Sequence, residues 1–329
     1  ERIPELNVVI RTAGAQQFGD LFGMEETVFE PDRFTQYETY DEALQAFETE
    51  PSVRVLFESG AGSEQAGAPI PLFEASYEQW PTDTARTIEW FVGQEGQLLD
   101  ASPEDAGADA WTFDANAGIE DFFGPRGYQL LVPIWDIDWT RFDPGHITAY
   151  QTAPFTKSMV IAGPGIAELW VKSPVDDLSV QVTLSEVRPD GMEYLVQTGW
   201  LRLGHRAAED GENLRLRRTY SEEDFENVPI DTWVPVKVAI PSVAHPIREG
   251  SSLRMLVSTP GRDHGTWEFE APAYETPPVF SLGYGGARPS GLTMAVLPVV
   301  EIPEEYPPCP SLRGQPCRAY EAIVNSPAQ

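Results

Sequence analysis

The chain has 329 residues, 41% of them hydrophobic, which allows packed cores and two domains. Its 52 acidic residues against 22 basic ones give a formal net charge of −30, a surface that repels polyanions and argues against nucleic acid as a partner. No apolar run approaches the ~20 residues that a membrane-spanning helix needs, and no signal-peptide pattern opens the sequence.

The basic residues are almost all arginine; the lysines are Lys157, Lys172 and Lys237. An acidic, lysine-poor surface suits solubility at high salt or outside the cell, and the dispersed acids read as solvated surface. The chain opens at Glu1 without a methionine, as a mature form, a processed product or a fragment would. In the first fifty residues, Ala43, Leu44 and Phe47 share one face of a predicted short amphipathic helix beginning at Asp41 and stopped by Pro51. Val53-Arg-Val-Leu-Phe57 follows as a compact apolar strand bounded by Gly60-Ala-Gly62, so the pair reads as an α/β unit. Glu64 to Pro71 is a loop, and Thr87 to Val92 a further strand closed by Gly93 to Gly96.

From about residue 100 the character changes. Ala101 to Ala110, small and acidic, reads as a linker. Short strands then recur at Ser158–Ile161, Ala167–Lys172, Ser179–Glu186, Glu193–Arg202, Trp233–Ile240, Ser252–Ser258 and Thr293–Val300, separated by Gly, Pro, Asp and Asn turns. That spacing predicts a mainly β fold, a sandwich or jelly roll. Val180, Val182 and Leu184 alternate with Gln181, Thr183 and Ser185, the pattern of a half-buried strand. Arg188-Pro189-Asp190-Gly191 is turn chemistry, and Tyr194, Val196 and Thr198 resume the alternation up to Trp200.

Two clusters are candidates for a cleft. In Trp135-Asp-Ile-Asp-Trp139 an extended backbone puts Trp135, Ile137 and Trp139 on one face and Asp136 and Asp138 on the other. This is an aromatic cleft wall or a partial calcium site, or simply a strand with a buried aromatic face. Pro260-Gly-Arg-Asp-His-Gly-Thr-Trp267 offers Asp263, His264 and Trp267. Adjacent strand residues point to opposite faces, so a polar loop between strands fits Asp263 and His264 better than a dyad.

Catalytic signatures are lacking. There is no G-x-S-x-G elbow: Ser59, Ser63 and Ser281 lack the flanking glycines. The four histidines, His146, His205, His245 and His264, fall in no metal-binding spacing. There is no P-loop, and Gly283-Tyr-Gly-Gly286 reads as a turn, so no metal or cofactor is expected. Cys309 and Cys317 enclose a short Pro/Gly loop; they close as a disulfide or stay as two thiols. A disulfide would staple a tail with little core of its own and imply an oxidising compartment.

Taken in order, these segments resemble a known family. Ala162-Gly-Pro-Gly165 with Leu169-Trp-Val, Asp177 ahead of Val180-Gln-Val, the turn Val187-Arg-Pro-Asp-Gly191, Gly199-Trp-Leu-Arg202 with His205-Arg206, Ile247-Arg-Glu-Gly-Ser-Ser-Leu-Arg254, and Leu297-Pro298 resemble the C-terminal domain of X-prolyl dipeptidyl-peptidase / cocaine esterase (CocE/NonD) hydrolases. Ser52 to Gly60, Trp80-Pro81 and the Trp90-Phe-Val strand are similar to the stretch that joins the hydrolase domain to the sandwich.

The resemblance implies residues 1–105 as the end of an α/β-hydrolase domain, 106–302 as a jelly-roll β-sandwich and 303–329 as a Pro-rich tail. It implies a serine hydrolase of ester or amide bonds whose Ser, Asp and His all precede this stretch, so no catalytic residue is assigned here. The implied partners are the upstream catalytic segment, as the same or a nicked second chain, a small peptide or ester substrate, and possible further copies of the chain. The acidic composition and the possible disulfide, rather than the resemblance, point to a secreted or extracytoplasmic location. The other reading is a sugar- or partner-binding module stacking ligands on Trp135 or Trp139.

Overall fold

A computed structural model describes residues 8–25, 27, 29, 32–121, 132–135, 137–260, 262, 272–297 and 300–328. Among them, no helix is long and apolar enough to cross a membrane. The chain divides into two compact units, one of Glu1–Asp83, Phe123–Asp136 and Glu305–Gly314, the other of Thr84–Phe122, Ile137–Glu304 and Gln315–Gln329.

The first unit holds a helix at Ala15–Phe22, the expected helix at Tyr40–Glu48, and strands β1 (Val53–Phe57) and β2 (Phe73–Tyr77). Thr39 and Glu42 cap the second helix reciprocally: the Glu42 amide donates to Thr39 Oγ1 (3.3 Å), and the Thr39 amide donates to Glu42 Oε2 (3.1 Å). The predicted apolar face of this helix is not buried, and Phe47 is 55% exposed. β1 pairs antiparallel with β2, and Phe57 stacks on Phe73 with ring centroids 4.7 Å apart. Arg313 organises the neighbouring loops: its Nη1 donates to the carbonyls of Gly67 (2.9 Å), Val132 (2.6 Å) and Pro133 (3.1 Å).

The second unit is β throughout. Its strands are β3 (Arg86–Val92), β4 (Gln97–Leu99), β5 (Gly107–Thr112), β6 (Gly118–Asp121), β7 (Ile137–Thr140), β8 (Thr148–Thr152), β9 (Met159–Lys172), β10 (Ser179–Val187) and β11 (Met192–Arg202). They continue with β12 (Glu209–Asp210), β13 (Leu216–Arg217), β14 (Trp233–Ile247), β15 (Ser252–Ser258), β16 (Val279–Tyr284), β17 (Gly291–Leu297), β18 (Cys317–Ala319) and β19 (Ser326–Pro327). One sheet runs β18-β11-β10-β15-β8-β4-β3-β17-β9-β16-β5-β19, with β14 also on β9. It folds over at the short β4 into a β-sandwich. Val180, Val182 and Leu184 of β10 meet Leu169 and Val171 of β9 and Val236 and Val238 of β14 in one buried core.

The two strands expected at Ser158–Ile161 and Ala167–Lys172 are one bent strand, β9. Gly163 takes φ +122, and register slips opposite it between Ile240 and Val243 and between Met294 and Val296, so Gly163-Pro164-Gly165 is a bulge rather than a break. The supposed linker Ala101–Ala110 ends inside β5, whose small residues gave little strand signal but which pairs with β16 on one edge and β19 on the other. The tail also adds strands to the sheet. Asn325 accepts from the Ala149 amide (2.8 Å) and donates to Asp109 Oδ2 (2.9 Å), which also accepts from the Tyr150 hydroxyl (2.8 Å). Cys309 and Cys317 are disulfide-bonded.

The hairpin β10–β11 lies where expected, paired from Ser179↔Arg202 to Val187↔Glu193 with a one-residue register shift between Leu184 and Ser185, and with Gly191 at φ +83 in its turn. It is not half-buried, however. Gln181, Thr183 and Ser185 are at most 5% exposed. They tolerate burial because they are hydrogen-bonded: Gln181 Nε2 donates to Thr183 Oγ1 (3.1 Å), Trp200 Nε1 to Gln181 Oε1 (2.8 Å), and Ser185 Oγ to Glu193 Oε1 (2.9 Å).

A Cβ on Gly199 of β11 would lie 2.3 Å from the carbonyl oxygen of Ala239 on β14. The glycine of the Gly-Trp-Leu-Arg motif is thus demanded by a close backbone approach. Gly199→Ala is expected to cost about 1–3 kcal/mol, seen as a lower denaturation midpoint; a midpoint equal to the native one would refute this role.

Candidate functional site

Of the cleft candidates, Trp135 and Trp139 are among the described residues. Ile137 and Trp139 are half-buried on β7 while Asp138 and Thr140 are exposed, as the alternation predicts. Trp135 lies outside that strand and in the first unit, with the Arg313 guanidinium 5.4 Å from its ring centroid. Trp139 lies in the second unit, with the Arg318 guanidinium 3.7 Å above its ring. Of the two tryptophans, Trp139 is on β7 and Trp135 precedes that strand. Asp136, Asp263, His264 and Trp267 lie outside the described residues. Arg262 is described: its Nη1 binds Asp138 Oδ2 (2.8 Å) and Glu120 Oε2 (3.0 Å), clamping β6 to β7. This hydrogen bond lowers the pKa of Asp138.

The structure shows a buried charged network that sequence reasoning missed. Glu186, at the end of β10, is fully buried. Its Oε2 lies 3.0 Å from His245 Nε2 and 3.3 Å from Arg188 Nε. Burial pushes the Glu186 carboxyl up, but the hydrogen bond and charge of His245, the charge of Arg188 and a bond from Ser251 outweigh it and hold the group below the ordinary glutamate value. Arg188 sits 3.6 Å above the Tyr194 ring, and burial pushes the Tyr194 phenol up to about 12. A second centre lies along the same hairpin: Glu193 accepts from Arg254 Nη1 (3.0 Å) through Oε1 and from Arg318 Nε (2.9 Å) through Oε2. The sequence signal was a charge on each side of the turn: Glu186 shares the parity of Val180, Val182 and Leu184, and Glu193 lies beside Ser185 of the polar face.

This network is not a nucleophile–base pair. Both ring nitrogens of His245 are occupied, Nε2 by Glu186 and Nδ1 by the Gln315 amide at 3.2 Å. His205 packs edgewise on Tyr220 and Phe225, and His146 Nδ1 lies 4.0 Å from Asp114. None of these three described histidines is hydrogen-bonded to a serine hydroxyl. The exposed motif residues also serve the fold: Arg202 Nε donates to both oxygens of Asp177 (3.1 Å each), and Arg206 Nη2 donates to Glu226 (2.9 Å). Arg254 borders two cavities, one of about 750 Å³ beside Trp90, Phe155 and Tyr320, the other of about 270 Å³ beside Trp139 and Arg318.

The β-sandwich matches what comparison with known proteins finds. Residues 45–273 match the family described as the X-Pro dipeptidyl-peptidase C-terminal non-catalytic domain. The chain belongs to this family. No curated protein matches the sequence. Among solved structures, a CocE/NonD family hydrolase from Staphylococcus aureus is similar with a TM-score of 0.50 at 16% identity, over 68% of this chain and 39% of that one. An α-amino acid ester hydrolase is similar with a TM-score of 0.51 at 15% identity, over 75% of this chain and 41% of that one. At such identities the likeness is one of fold, and the chain spans about two fifths of either protein's length.

Glu186→Gln tests the first centre of this non-catalytic domain. A carboxylate whose pKa is lower folded than unfolded contributes stability that is present above ~4.3 and is lost as pH falls through the folded value. The variant is expected to lose about 3–5 kcal/mol at pH 7 and to show a shallower decline of its denaturation midpoint with acidification. An acid limb as steep as the native one would contradict the assignment.

Proposed function

We propose that this chain is the C-terminal, non-catalytic part of a serine hydrolase of ester or amide bonds, such as X-Pro peptide or acyl bonds, whose Ser-His-Asp triad lies in an upstream α/β-hydrolase segment. The family match and the two hydrolases of similar fold support the reading. The observation that carries it is where apolar surface is left open. Among the described residues, nine of the thirteen exposed large hydrophobic residues belong to the first unit: Val8, Val9, Ile10, Leu21, Tyr40, Phe47, Leu56, Trp80 and Ile134. Exposed apolar side chains gathered in one region mark a surface that is covered in the working protein. Here the helix Tyr40–Glu48 and β1 would complete the hydrolase core. In that assembly the upstream serine forms the acyl-enzyme and this chain supplies support and shape. The disulfide fits a location outside the reducing cytoplasm.

The glycan-binding alternative needs open tryptophan faces. Arg318 already covers one face of Trp139, which weakens it.

Two measurements test the proposal. The 329-residue chain alone is expected neither to hydrolyse p-nitrophenyl esters nor to label with a fluorophosphonate; joined to the upstream segment, labelling is expected on a serine outside this chain. Labelling of the isolated chain would overturn it. Phe47→Glu with Leu56→Glu is expected to weaken association with that segment at least about tenfold, since each buried large apolar side chain contributes about 1.5–3 kcal/mol, while leaving the sandwich's thermal transition unchanged.

A further inference from the structure

The second buried centre holds unequal charge. Glu193, with 1% of its side chain exposed, faces two guanidinium groups, Arg254 at 3.0 Å and Arg318 at 2.9 Å. The Arg254 side chain is 3% exposed, in a protein of net charge −30. Burying a second cation beside one carboxylate is costly unless something else answers its charge. Burial pulls the Arg318 guanidinium below its ordinary value despite Glu193, the mark of incomplete compensation.

Both arginines keep donors in hand. Arg318 spends Nε on Glu193 and Nη1 on the Trp139 carbonyl (3.0 Å). Arg254 donates one hydrogen bond among the described residues, to Glu193, out of five N–H groups. Both line the cavity of about 270 Å³, near the lower end of the ~300–1,000 Å³ range of small-molecule pockets. Its polar end is Arg254, Arg318 and Thr183, and its walls are Phe142, Ile147 and Ile323. Glu193, Arg141 and two exposed acids, Asp143 and Glu321, also line the cavity; Glu193 is engaged by the two arginines, and Glu321 is paired with Arg141 at 3.3 Å.

We propose that this cavity binds a small organic carboxylate, its charged group on Arg254 and Arg318 and its apolar body against Phe142, Ile147 and Ile323. Planar guanidinium forks match a carboxylate's two oxygens, and the low-dielectric setting strengthens those bonds over the same contacts in water. A neutral isostere forfeits the charge-assisted bonds while filling the same space, so the site discriminates by charge. The site is independent of the hydrolase reading, since every residue in it lies in the sandwich.

The probe is benzoate, titrated into the full chain by calorimetry and by ligand-observed NMR, with benzamide as its neutral counterpart. Benzoate is expected to bind at least about tenfold more tightly than benzamide. Ile323→Trp fills the cavity without altering the arginines, and Arg254→Gln removes the main donor; each is expected to weaken benzoate at least about tenfold. Should Arg254→Gln fail to fold, Ile323→Trp and the benzamide comparison decide. Absence of benzoate binding up to about 10 mM, equal binding of benzamide, or full binding by folded Ile323→Trp would overturn the proposal.

Discussion

A carboxylate taken out of water costs several kcal/mol unless its charge is matched and its oxygens are hydrogen-bonded, and the β10–β11 hairpin buries two. Glu186 and Glu193 sit at the turn end of the hairpin, one held by His245 and Arg188, the other by Arg254 and Arg318. Arg188 comes from the hairpin's own turn, whereas His245, Arg254 and Arg318 come from β14, β15 and the tail strand β18. Neutralising the two acids thus recruits strands that are distant in sequence, and the hairpin becomes the meeting point of the sandwich. Its inward face is the shared apolar core, and its other face is buried as well, which only a satisfied polar layer permits.

The C-terminal residues take their order from the same constraint. Arg318 reaches Glu193 while its backbone extends the sheet as β18, and Asn325 bonds both β8 and Asp109 of β5 before β19. A segment of low intrinsic strand propensity is held through particular side chains rather than by a core of its own. The two arginines drawn onto Glu193 leave a cationic recess open to a ligand, so one arrangement serves both packing and recognition.

The first unit follows a different balance. Its β1–β2 pair and capped helix are locally well formed, yet Phe47 and Leu56 face outward. Local rules suffice to make these elements, and among the described residues they leave apolar side chains exposed. The chain spans about two fifths of the length of the hydrolases it resembles in fold.

Alternation, turn residues and caps depend on near neighbours, so the helix near Asp41, strand Val53–Phe57, the β10–β11 hairpin, the extent of β15 and the mainly β class were legible in the amino-acid order, as was the family. Three things were not: that β9 runs through Gly163-Pro164-Gly165, that Gly107–Thr112 and, in the tail, Cys317–Ala319 and Ser326–Pro327 are strands, and that Gln181, Thr183, Glu186 and Glu193 are buried. Each depends on a partner far along the chain: β14 and β17 for the bulge, β16 for β5, and Arg254, His245 and Arg318 for the acids. Sequence alone therefore determined which segments are strands with one apolar face. Only tertiary structure decided what covers the other face, because a polar side chain reads as solvent-exposed until the group that satisfies it is brought within hydrogen-bonding distance.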